Sequence, residues 1–144
     1  MKRSDTVDLL RECTSGIKMA VESINEIEDY VQDNNLRRVL RESKDAHKKL
    51  GVKCDKILRE LNEEDKEPNV MAKGMSWLKT NIKLGVKQSD ATIADLITEG
   101  SNMGVKSLNR YMNQFRGAEE RVRSLTEDII GIERQLTIDV SQYL

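Results

Sequence analysis

From Leu10 onward, apolar and small side chains recur at steps of three and four: Cys13, Ile17, Ala20, Ile24, Ile27 and Val31. That spacing is the seam of a helix packed on one side, and it excludes a strand, whose apolar positions alternate. It predicts a first helix from about Ser4 to Asp33. Asp33, Asn34 and Asn35 form a polar break of the kind that caps a new helix. The rhythm resumes through Leu36, Leu40, Ser43, His47, Leu50, Cys54, Ile57 and Leu61, which predicts a second helix.

NEEDKEPN, residues 62–69, reads as a loop, and residues 70–87 as a shorter amphipathic helix carrying Met71, Met75, Trp77 and Leu78. Ser89 is a plausible N-cap with Asp90 in the first turn. A third long helix follows, with Ile93, Ile97, Gly100, Gly104, Ser107, Tyr111 and Phe115 on one face. Gly117 breaks it. Ala118, Glu119 and Glu120 open a last helix that presents Val122, Leu125, Ile129, Leu136 and Val140.

Two helical hairpins result, residues 4–61 and 89–143, joined by a long crossover over residues 62–88. Tight turns make the helices within each hairpin antiparallel. The whole chain, 1–144, reads as a single domain, an all-α bundle of four long helices.

The hairpins share a weak echo. GIKMAVESIN (16–25) and GSNMGVKSLN (100–109) are identical at glycine, methionine, valine, serine and asparagine positions, and both sit midway along the first helix of a hairpin. Each interior helical glycine costs about 1 kcal/mol relative to alanine. The small residues Gly16, Ala20, Gly100 and Gly104 are therefore expected to be close-packing positions that let two helices approach.

Composition agrees with helices. One Trp, one Phe, three Tyr and a single proline leave little that favours a sheet. The 25 acidic residues nearly balance 24 basic ones, so net charge predicts no nucleic-acid partner. No apolar run reaches a membrane span and no signal peptide opens the chain, so a cytoplasmic location is expected. Cys13 and Cys54 stand alone in the sequence, which reads as two buried thiols rather than a disulfide or metal knot.

Two hairpins, a long crossover and a half-to-half repeat resemble the ferritin-like superfamily, in particular small bacterial proteins related to the rubrerythrins. SWLKTNIKL and SDATIADLITEGSNMGVKSLNRYMNQF are similar to their crossover and third long helix, with Glu99 and Gly100 leading into Lys106, Arg110 and Tyr111. The resemblance implies a ferritin-like four-helix bundle and would make Glu99 a metal ligand. A di-iron site there takes a Glu-x-x-His pair from each of two helices. This chain has one histidine, and Lys44 stands three residues before it. At 100° per residue, Glu22 points away from the seam and Glu99 lies on its helix flank, while Glu28 and Glu133 point inward. An intact di-iron site is therefore not expected, and no cofactor or metal is assigned. A reduced set of His47, Glu28, Glu133 and Glu99 is the alternative.

His47 sits within the apolar stripe. It reads as a core histidine bonded to Ser43, a backbone carbonyl or a tyrosine, since an acid–base role would need a carboxylate in reach. The lysines among residues 70–87 allow a peripheral membrane contact, but packing onto the bundle is the simpler reading. Arg37, Arg38 and Arg41 lack interleaved aromatics and read as a solvated face balanced by Glu42 and Asp45. No catalytic motif is present. The expectation is a non-enzymatic bundle with a structural or protein-interaction role, pairing its faces in a homodimer, with a metal-binding or redox protein around His47 as the alternative.

Overall fold

The computed structural model describes residues 4–63 and 89–144. The described residues form four long helices: α1 (Asp5–Ile27), α2 (Asn34–Glu60), α3 (Asp90–Gln114) and α4 (Glu120–Val140). Short 3-10 turns follow α1 (Glu28–Tyr30) and α4 (Ser141–Tyr143). The expected short helix at residues 70–87 lies outside the described residues.

Three helices begin on side-chain caps. Ser4 Oγ accepts from the Val7 amide at 3.2 Å, Asp33 Oδ1 from Leu36 at 2.9 Å, and Ser89 Oγ from Thr92 at 3.1 Å. The first helix ends earlier than its seam suggests. Val31 stays buried at 2% exposure, but it does so in extended backbone, beyond the 3-10 turn. The apolar rhythm carries on where the helix does not, because the chain must turn to place Asp33 as the cap of α2.

Each hairpin's first helix also holds the other hairpin's turn. Asp90 Oδ1 and Oδ2 accept from the Gln32 and Asp33 amides, each at 2.9 Å. In the mirrored arrangement, Asp5 Oδ2 accepts from the Gly117 amide at 2.8 Å and Thr6 Oγ1 from Glu119 at 2.9 Å. The latter bond serves as a cap for α4, since Glu119 makes no side-chain cap of its own. A Ser-Asp pair thus heads both α1 and α3 and does the same two jobs in each.

The core divides into two apolar clusters. One joins Leu9, Leu10 and Ile17 of α1, Leu50 and Leu58 of α2, Leu108 of α3, and Val122 and Ile129 of α4. The other joins Ile24 and Ile27, Leu36 and Leu40, Ile93 and Ile97, and Leu136 and Val140. The first half of α1 and of α4 therefore shares an end with the second half of α2 and of α3. Adjacent helices run antiparallel, α1 beside α2 and α3 and α4 beside α2 and α3, while α1 and α4, which also touch, run parallel. Glu60 and Asp90 consequently stand at opposite ends of the bundle, and a helix as long as α2 spans about 40 Å.

Candidate functional site

Between the two clusters the bundle has a polar waist. Its centre is His47 of α2, completely buried, with Glu133 of α4 beside it at 8% exposure. His47 Nδ1 lies 2.7 Å from the Ser43 carbonyl oxygen, which can only accept, so Nδ1 carries a hydrogen. Nε2 faces Glu133 Oε1 in a short contact. With Nδ1 already protonated, that contact holds one further proton between imidazole and carboxylate. The pair is thus an imidazolium with a carboxylate or an imidazole with a carboxylic acid, and carries no net charge in either form. A pair of this kind satisfies itself in a dry interior, where an unpaired charge would be strongly disfavoured.

Residues expected in a reduced metal set do not converge. Glu28 pointed inward by helical angle, but it stands in the 3-10 turn, where Arg41 Nε holds it at 2.7 Å and Lys44 Nζ lies 3.5 Å away. The Arg41 hydrogen bond, with Lys44 nearby, lowers the Glu28 carboxyl below its ordinary range. Glu99 is exposed on α3. Among the described residues no group of three or more His, Cys, Asp or Glu side chains is placed to hold a metal ion. Of the four, the structure brings together His47 and Glu133.

The small residues have a different part from the one expected. A Cβ at Gly16 or Gly100 would meet nothing within 4 Å, and one at Gly104 would reach Glu133 Oε2 only at 3.6 Å. Together with Ala20 they line a cavity of about 380 Å³ between α1 and α3. Close packing fails here for a simple reason. Bulky residues of α1 and α3 flank the small ones and act as spacers, Ile24 and Ile97 in one apolar cluster and Ile17 and Leu108 in the other. Removing side chains between two such spacers opens a void instead of drawing the backbones together.

The cavity wall is mainly apolar, with Met19, Met103, Ile129 and Leu136 contributing, and exposed Met103 marks the side open to solvent. Polar groups form the smaller part of the wall, Ser23, Ser101 and Ser107 among them. Glu133 lines it, as do Glu12 and Tyr111 near one end. A hydrogen bond to the Glu12 carboxylate raises the Tyr111 hydroxyl above its usual range, and the Tyr111 ring stacks on Phe115 at 6.2 Å. Ser15, 3% exposed, also lines the cavity, and its hydroxyl has no hydrogen-bond partner among the described residues.

The two cysteines are free and buried at the first cluster. Cys13 Sγ lies 3.0 Å from Thr126 Oγ1, whose own hydrogen goes to the Val122 carbonyl at 2.8 Å, so the thiol donates. Burial pushes Cys13 up to about 11 and Cys54 up to about 12. Neither is a nucleophile near neutral pH.

Helical spacing placed His47 and Glu133 inward, but their meeting across α2 and α4 has no local signature. Ser15 was missed altogether, since a serine one step off the seam looks like a boundary residue. Compared with protein-family models, curated proteins and solved structures, the chain has no significant match in any of the three. No helix among the described residues is long and apolar enough to cross a membrane.

Proposed function

We propose that this protein is a non-catalytic helical bundle of ferritin-like topology whose waist holds a small apolar ligand in place of a metal centre. The observation that carries the reading is the cavity of about 380 Å³ between α1 and α3, apolar in its walls and bordered by the buried His47–Glu133 pair. Its volume falls within the range of ordinary small-molecule sites, and such sites combine apolar walls with a few polar groups. The ferritin-like topology is supported by two antiparallel hairpins and by the opposite placement of Glu60 and Asp90, which a long crossover would join. The structural or interaction role expected from sequence thus narrows to binding. The reduced metal set is less favoured, because Glu28 is engaged by Arg41 and Glu99 faces solvent.

The test is titration with N-phenyl-1-naphthylamine, whose fluorescence rises in apolar sites. One dye should bind per chain, and Gly16→Leu with Gly100→Leu should abolish binding while the helical melting transition persists. Dye binding that survives this filling of the cavity would remove the basis of the proposal.

A further inference from the structure

The chemistry of the cavity selects among apolar ligands. Among the described residues that line it there is no Lys, Arg or His, while two carboxylates, Glu12 and Glu133, do line it. Glu133 has one oxygen, Oε1, committed to His47, and Oε2 faces the Gly104 side of α3. That oxygen lies at the cavity wall as an acceptor. Ser15 adds a buried hydroxyl with no partner among the described residues, and a buried polar group without a partner costs about 1–3 kcal/mol. A carboxylate or phosphate head is disfavoured here, because it would meet the Glu12 carboxylate and the acceptor oxygen of Glu133 and no Lys or Arg among the described lining residues. The site suits a head that donates hydrogen bonds to Glu133 Oε2, and the Glu12 carboxylate favours positive over negative charge on it.

We propose, resting on the ligand-binding reading above, that the cavity takes an amphiphilic primary amine. Its ammonium group donates to Glu133 Oε2, and its apolar body lies along Gly16, Ala20 and Gly100 toward Met19 and Met103. A cavity of about 380 Å³ lies at the small end of ligand sites, so the body is a medium-length chain or a small ring system. The imidazole of His47 holds Glu133 in place from the far side without blocking Oε2. The glycines give the ligand its room, and Ser15 offers its hydroxyl to a second polar group or to a water entering with the ligand.

Competition against the bound dye distinguishes the head groups. Octylamine, 1-octanol and octanoate share an apolar body, and octylamine should displace the dye about tenfold more tightly than octanoate, with octanol between them. Glu133→Gln should bring octylamine down to the level of octanol. Should that variant fail to fold, Glu12→Gln tests the same field and should narrow the gap between amine and carboxylate. Octanoate binding as tightly as octylamine overturns the proposal while leaving a ligand-binding cavity intact. Absence of dye binding in the unmodified protein overturns the broader reading instead.

Discussion

Glu133 lines the cavity with one carboxylate oxygen and holds His47 with the other, so its substitution tests the waist of the bundle directly. Glu133→Leu leaves His47 Nε2 buried without a partner, and breaking a buried pair from one side costs about 3–5 kcal/mol. The double substitution His47→Leu/Glu133→Leu removes both polar groups and should recover most of that loss. Urea denaturation of the two singles and the double measures it, and additive losses would show that the pair is not coupled. The thiols give a pH dependence at the same scale. In the unfolded chain both ionise near 9.0, whereas folded Cys13 and Cys54 hold their protons until about 11 and about 12. The folded pKa values are raised, so this stability is complete below pH 9 and falls as pH rises toward 11 and 12. Chemical unfolding between pH 8 and 11 should show the decline, and Cys13→Ala/Cys54→Ala should flatten it.

Helices α1 and α3 each combine a cap, a turn lock and a glycine segment, and these make opposite contributions to stability. A Cβ at Gly117 would lie 2.9 Å from Asp5 Oδ2, the atom that accepts from the Gly117 amide. Gly117→Ala should therefore displace the Asp5 side chain and lose about 1 kcal/mol. In an Asp5→Ala background the same substitution should cost less, and equal costs in the two backgrounds in thermal unfolding would show that the contact is idle. Gly100 is the reverse case. Its Cβ meets nothing, so Gly100→Ala should stabilise the protein by roughly 0.5–1 kcal/mol through helix propensity alone. Gly51→Ala is the control, because a Cβ there meets Ile17 Cγ2 at 3.3 Å and should gain less. Glycines that would stabilise the fold if replaced, and that line its cavity, fit a chain that gives up stability for a binding site.

Across the whole molecule, two apolar clusters hold the ends of the bundle and leave its waist to His47, Glu133 and the cavity. Protein refolded with iron, manganese or zinc should retain less than one metal per chain by elemental analysis. A tightly held metal that is lost on His47→Ala would instead support the metal-binding alternative.

The spacing of apolar residues was enough to establish four helices in two hairpins, because packing of one helical face imposes its period on the chain. Caps such as Ser89 and Asp33 were legible for the same local reason, since a cap needs only the residues within one turn. Where α1 ends was not legible: Val31 belongs to the buried seam whether its backbone is helical or extended. The waist lay further from reach. His47 and Glu133 are 86 residues apart, and only the pairing of α2 with α4 brings them together. The glycines show the limit most clearly. A small residue at a helical interface permits close approach and permits a void equally well, and the outcome depends on the large side chains a turn or two away. That separation is a property of all four helices at once, so only the tertiary structure decided that GIKMAVESIN and GSNMGVKSLN line a cavity.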